Sequence, residues 1–200
     1  MATVADLARR LNSRHPRGDA LPALILMTDS RRLPDPAAAA RRLPAGAMVL
    51  FRDYQNKNRE AEAAALREVC RRHRLHFLVA ADWRLAARLD ADGVHLPEAL
   101  AGTAPAARRG RRWLITAAAH SEAALRRAEA AGVDAVLLSP VFATASHPGA
   151  RSLGPVRFAS LVRRAAVPVY ALGGIDPASA PRLLGSGAVG IAAIGALVPG

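Results

Sequence analysis

Eight short, almost purely aliphatic runs recur along this chain, and no other feature constrains its fold as much. They are Leu24–Thr28, Met48–Asp53, Phe77–Ala81, Gly93–Leu96, Leu114–Ala118, Ala135–Ser139, Val167–Leu172 and Gly190–Ile194. Stretches with helical spacing separate them, among them Arg59–His73, Ser121–Ala131, Val156–Arg164 and Pro177–Gly185. A strand with one face in water alternates apolar and polar residues; a run that is apolar at nearly every position is buried on both faces. Parallel strands covered by helices have that property. Eight such units in 200 residues predict a compact α/β fold, a (β/α)8 TIM barrel with little decoration. A doubly wound open sheet is the alternative. Composition does not shift along the chain, so residues 1–200 read as one domain, with residues 1–20 as an N-terminal helical extension. The final helix after Ile194 is expected to be short or missing. The helix expected at Ala2–Leu11, or a second copy of the chain in a homodimer, would then cover the open seam.

The formal charge of +12 raises the question of nucleic acid. Nearly all of it is arginine, with Lys57 the only lysine, and basic residues interleaved with aromatics, as single-strand binding requires, are missing. The arginines fall in pairs, Arg41-Arg42, Arg71-Arg72 and Arg111-Arg112, at expected helix ends, where positive charge suits the helix dipole. The field is better suited to small phosphorylated molecules than to a polymer. No uncharged apolar run approaches the ~18 residues of a membrane span. The N-terminus lacks the apolar stretch of a secretory signal. The single cysteine, Cys70, has no disulfide partner and lies in a helical pattern, which fits a reducing, cytoplasmic setting.

In a barrel of this type chemistry sits where the strands end, and phosphate commonly binds after the seventh and eighth strands. Gly173-Gly174 and Ile194-Gly195 stand at those two points, where missing side chains let backbone N–H groups approach oxygen. Ordinary turn glycine is the competing explanation. After the sixth run come Ser139-Pro140-Val141-Phe142 and then Thr144, Ser146 and His147, which offer hydroxyls and an imidazole to the same pocket. Arg52 ends an otherwise apolar strand, so either an anion or a salt bridge to Asp29 or Asp53 must meet it. Tyr54 would cap a substrate ring or cover the mouth. His120 follows the fifth run and is a candidate acid or base. His95, inside an apolar run, reads as a hydrogen-bonded core histidine, Asp92 as the cap of a turn, and Arg108–Arg112 as a solvated face.

The segments Asp92-Gly93-Val94-His95-Leu96, Pro140-Val141-Phe142 with Thr144 and Ser146, Ala171-Leu172-Gly173-Gly174-Ile175 and Gly187-Ala188 resemble the thiamine-phosphate synthase family and its sister, the thiazole tautomerases. Leu26-Met27-Thr28-Asp29 and Arg52-Asp53 match the family's first two strands in order. The resemblance implies a (β/α)8 barrel that joins a pyrimidine diphosphate to a thiazole phosphate, with magnesium assisting the departure of pyrophosphate. It also implies a thiazole-phosphate cradle of Thr144, Ser146, Gly173, Gly174, Ile194 and Gly195, with His147 in place of the family's usual lysine.

On the pyrophosphate side the chain departs from the family. The family's second strand reads Gln-x-Arg-x-Lys; here Leu50-Phe51-Arg52-Asp53-Tyr54 keeps only Arg52. The magnesium aspartates align with Ala81 and Leu100, so the metal ligands look lost, with Asp82 and Glu98 the nearest carboxylates. The tautomerase histidine falls at Pro140. Arg52, His147 and His120 are therefore the expected catalytic groups, with Tyr54 and Ser139 in the substrate pocket. A non-catalytic binder of phosphate ligands and a metal-free isomerase are the alternatives.

Overall fold

The computed structural model describes residues 2–54, 57–144, 151–194 and 197. Eight parallel strands close into a barrel in chain order. They are β1 (Leu24–Met27), β2 (Met48–Phe51), β3 (His76–Ala80), β4 (Gly93–Leu96), β5 (Leu114–Ala119), β6 (Ala135–Leu138), β7 (Val169–Leu172) and β8 (Gly190–Ala193). The helices are α1 (Val4–Asn12), α2 (Pro36–Arg41), α3 (Arg59–Arg72), α4 (Trp83–Arg88), α5 (Ala104–Arg108), α6 (Glu122–Ala130) and α7 (Gly154–Arg164). The open doubly wound sheet is thereby excluded, because β8 pairs with β1 through Leu24–Ile191, Ile25–Ala192 and Leu26–Ala193.

The two faces of each strand explain the near-continuous apolar runs. Ile25, Met27, Met48, Leu50, Leu78, Leu137 and Tyr170 fill the barrel interior. Leu26, Val49, Phe51, Phe77, Val79, Val136 and Ile191 pack outward under the helices. Alternation along a strand assigns the two sets, and both need apolar residues because neither side meets water.

Local chemistry sets several boundaries. β7 begins at Val169, two residues later than expected, because Pro168 has no N–H to give to the ladder. Its carbonyl still accepts from Val136 N at 2.9 Å. The helix expected over Pro177–Gly185 is instead a single 3-10 turn, Ala180–Leu183. Pro181 removes a donor there, and Asp176 Oδ1 captures the N–H groups of Ala178 and Ser179 at 3.0 and 2.7 Å. Arg111-Arg112 does not end a helix, since α5 stops at Arg108; the Arg111 guanidinium stacks on Trp113, 4.7 Å from the ring centre.

At the N-terminal ends of the strands, aspartates latch neighbours together. Asp92 accepts from Phe77 N at 2.7 Å and faces Arg67, so it bridges to an adjacent strand rather than merely capping its own turn. Asp134 does the same for Ile115 N and pairs with Arg108, which is pinned there, while Arg109, Arg111 and Arg112 are exposed. α1 lies over the β8–β1 seam with Val4, Leu7, Ala8 and Leu11 buried. Asn12 Nδ2 donates to the carbonyls of Leu21 and Val189, both at 3.0 Å.

His95 projects into the barrel beside Thr116, with Nδ1 2.9 Å from the hydroxyl. Burial, reinforced by the charges of Arg52 and His120, pushes its pKa down to about 3 from 6.5. Between those values the unfolded chain binds a proton that the folded chain refuses, so stability is complete above pH 6.5 and falls as pH drops through the window. Stability from urea unfolding should be about 2 kcal/mol lower at pH 5 than at pH 7.5 from this group alone. His95→Gln should remove that increment whatever its own cost; an unchanged difference would contradict a neutral buried His95.

Candidate active site

Each strand delivers its C-terminal residue to one rim, and the loops beyond are where polar side chains can stand without breaking the core. A cavity of about 220 Å³ opens there, lined by Arg52, Tyr54, His95, Glu98, His120, Ser139, Thr144, Gly173 and Ile194, over apolar contacts from Met27, Pro97 and Leu172. Every strand except β3 contributes, either itself or through the segment just beyond it. Two annexes of about 300 Å³ flank it. One, lined by Thr28, Asp29, Arg31, Asp53 and others, shares Arg52 and Tyr54 with the central cavity. The other, lined by Arg32, Gly174 and Asp176 among others, shares Thr144, Leu172, Gly173 and Ile194. A larger cavity of about 590 Å³ lies at the opposite end, around Arg67, Asp92 and Trp113. That end carries the latches, and the loop-built C-terminal end is where barrel chemistry resides.

Arg52 meets both readings of its sequence context. Its Nη2 lies 2.9 Å from Asp29 Oδ2, and its guanidinium still lines the central cavity. Its backbone N–H donates to Thr28 Oγ1 at 2.9 Å, and that buried hydroxyl donates onward to Asp53 Oδ2 at 2.6 Å. Asp53 Oδ1 accepts from Ser30 N at 2.7 Å, which sews the loops after β1 and β2 into one unit. Tyr54 stands at the rim, half-exposed, with the Arg59 guanidinium 5.9 Å from its ring centre. Arg59 also donates to the carbonyls of Asp53 and Ala80 at 3.1 and 2.7 Å, clamping the second and third loops. The sequence reading passed over Arg59; an arginine on the first turn of a helix, against the dipole, was its only signal.

Glu98 and His120 form a couple on the cavity wall. Glu98 Oε2 accepts from His120 N at 2.9 Å and sits 2.8 Å from its Nδ1; Oε1 accepts from Arg127 Nη2 at 3.0 Å. Burial alone would raise the Glu98 carboxyl. The hydrogen bonds from His120 and the charges of His120 and Arg127 outweigh it and hold the group below its ordinary value. An ionised carboxylate only accepts, so Nδ1 donates and the ring is fixed in orientation.

Ser139 is buried beneath the mouth, its N–H given to Ala119 O at 3.0 Å. Gly173 and Gly174 have φ of +97° and +64°. A Cβ on Gly174 would lie 2.2 Å from the Ala143 carbonyl oxygen, and one on Gly173 2.9 Å from Pro140 Cα. Close approach of the loops after β6 and β7 thus demands both glycines, in addition to any approach by a ligand. Ser146, His147 and Gly195 lie outside the described residues.

Magnesium needs a shell of oxygen ligands. Among the described residues no three His, Cys, Asp or Glu side chains gather into one. Asp82 does not line the cavity; its Oδ1 caps α4 at Leu85 N (2.9 Å) and its Oδ2 faces Arg59 at 3.3 Å. Both oxygens of Glu98 are already engaged by His120 and Arg127. These two carboxylates do not fit a hard-cation site as they stand.

A family model described as thiamine monophosphate synthase matches residues 24–197. The thiamine-phosphate synthase of Alcanivorax borkumensis is 35% identical over 192 residues, 88% of this chain and 85% of that protein. The thiamine-phosphate synthase of Chromobacterium violaceum is 38% identical over 168 residues, 80% of each. Among solved structures, the thiamine phosphate pyrophosphorylase of Pyrococcus furiosus matches with a TM-score of 0.71 at 29% identity, covering 86% of this chain and 84% of that one.

Gly174→Ala tests the wall between the sixth and seventh loops. Left-handed backbone alone costs an alanine about 1–2 kcal/mol, and displacement of the Ala143 carbonyl adds to it. Gly132→Ala, at φ +74° with open space around it, isolates the backbone cost. Gly174→Ala should lower the thermal midpoint clearly further than Gly132→Ala; equal shifts would mean the loops are not held by this contact.

Proposed function

The chain belongs to the thiamine monophosphate synthase family, and we propose that it joins a pyrimidine diphosphate to a thiazole phosphate through the groups at the barrel mouth. It is a transferase of thiamine biosynthesis, and no described helix is long and apolar enough to cross a membrane. The observation that carries the site assignment is the central cavity, with Arg52 on one wall and an annex floored by Gly173 and Gly174 on the other. It offers two separate places for two anionic substrates.

In this reading the C–O bond between the pyrimidine methylene and the diphosphate breaks, and its electron pair leaves with the diphosphate. The thiazole ring nitrogen donates its lone pair to the methylene, forming the C–N bond. An aromatic thiazole loses no proton in that step. The chain must therefore bind two anions, align nitrogen with carbon, and offset charge growing on the leaving group. Arg52 faces the diphosphate, and Asp29 orients it. His120, held by Glu98, offers a further N–H to the same oxygens. Tyr54 covers the pyrimidine, and Ser139 lines the floor. Thr144, Gly173, Gly174 and Ile194 receive the thiazole phosphate, together with Ser146, His147 and Gly195. The family resemblance implies magnesium, but the paired state of Asp82 and Glu98 disagrees with it, and the cations of the mouth are what the chain itself offers the diphosphate.

That disagreement also favours a second reading, a barrel that binds thiazole or thiamine phosphates without turnover. Incubating the protein with pyrimidine diphosphate and thiazole phosphate, with magnesium or with EDTA, separates the two. Thiamine phosphate formed in either condition supports the synthase; a folded protein that binds thiazole phosphate but yields no product supports the binder. Within the synthase reading, Arg52→Ala should lower kcat/KM about 100-fold, as for loss of one preorganised donor. Near-normal kinetics would remove Arg52 from the site.

A further inference from the structure

We propose that Asp29 is a positioning residue shared by both anion sites, holding Arg52 toward the diphosphate and Arg32 toward the phosphate, and that Arg32 is the phosphate's guanidinium partner. The assignment of the two anions rests on the synthase reading above, whereas the arrangement of charges does not.

After β1 the chain makes a tight turn in which the N–H groups of Arg32 and Leu33 donate to the Asp29 carbonyl at 3.0 and 2.8 Å. The turn brings Arg32 back over its own aspartate. Asp29 Oδ2 then lies 3.4 Å from Arg32 Nη2 and 2.9 Å from Arg52 Nη2, so one oxygen faces two guanidiniums. The two diverge from there. Arg52 lines the central cavity, and Arg32 lines the annex with Thr144, Gly173 and Gly174. Among the described residues lining that annex, Arg32 is the one cation; Asp176 lines it as well. Because β1 pairs with β8, the first loop lies beside the ends of β8 and β7, which is how a residue early in the chain reaches this annex.

A guanidinium has five N–H donors in a rigid fork and can bridge a carboxylate and a second anion together. With both anions bound, the charges run phosphate, Arg32, Asp29, Arg52, diphosphate, alternating in sign along the row. The alternation screens two anionic substrates that must approach within bonding distance. It also keeps two arginines side by side before either anion arrives. Asp29 is held ionised for this purpose: burial would raise its pKa, but Arg32, the Arg31 N–H (3.1 Å from Oδ1) and Arg52 bring it below its ordinary value.

The test turns on sign. Removing a negative charge beside two anion sites should strengthen anion binding if Asp29 is a bystander, and weaken it if Asp29 positions the arginines. Inorganic phosphate and inorganic pyrophosphate are titrated calorimetrically into the full chain without magnesium, for wild type, Asp29→Asn, Arg32→Ala and Arg32→Lys. Asp29→Asn should weaken both ligands at least 3-fold. Arg32→Ala should weaken phosphate about 10-fold and leave pyrophosphate within about 2-fold, and Arg32→Lys should recover part of the loss. Tighter binding in Asp29→Asn, equal losses for both ligands in Arg32→Ala, or no phosphate binding by wild type would each overturn the proposal. Circular dichroism of each variant excludes unfolding, and exposed Arg32 gives a variant that folds whatever Asp29 does. Expected binding shifts in a protein that makes no thiamine phosphate would sink the synthase reading and leave this one standing.

Discussion

The mouth of this protein exists because β8 closes against β1. Closure removes the last free edges of the sheet and points eight strand ends at one rim, so residues from loops far apart in sequence become neighbours. The join has little room. A Cβ on Gly190 would lie 2.2 Å from the Ala23 carbonyl oxygen, so only glycine lets β8 approach. Tyr170, fully buried inside the barrel, donates its hydroxyl to Pro22 O at 2.6 Å beneath the same seam. Outside, α1 covers it, and Asn12 binds the backbone on both sides. The first loop, with Asp29 and Arg32, meets the seventh and eighth loops only because this seam is shut.

Charge follows the same division between the two ends. At the N-terminal end, Arg67 and Arg108 pair with Asp92 and Asp134, whose other bonds go to strand backbone; these arginines hold the barrel together. At the C-terminal end, two carboxylates are each shared between two nitrogen-bearing side chains. Asp29 serves two arginines, and Glu98 serves one arginine and a histidine. That sharing leaves Asp29 and Glu98 too occupied to hold a hard cation well. The arginines of the chain therefore work in two settings, latching strands at one end and standing around an open cavity at the other.

The barrel was readable in the sequence because both causes are local. A run apolar on both faces and a following amphipathic helix are properties of a few consecutive residues, and their repetition fixes the topology. The misjudged helix at Pro177–Gly185 and the late start of β7 share one cause, the lost N–H of a proline, joined in the first by the Asp176 carboxylate that captures two N–H groups. The glycines at 173 and 174 were legible as a strand-end pair. Their second cause, the nearness of Ala143 and Pro140, was not.

Arg52 and His120 were visible as polar residues at the ends of apolar runs, and the rim position of each followed from that alone. What the sequence could not decide was their partners. Glu98 and His120 are 22 residues apart on consecutive loops, and Arg32 and Arg52 meet on one oxygen only after β1 and β2 are paired. Asp82 looked available for a metal until a helix N-terminus and Arg59 claimed it. Identity and strand-end position are set by the chain itself. Which oxygen meets which nitrogen is set by the closed barrel, because a side-chain partnership depends on distance across neighbouring strands, and that distance has no counterpart along the sequence.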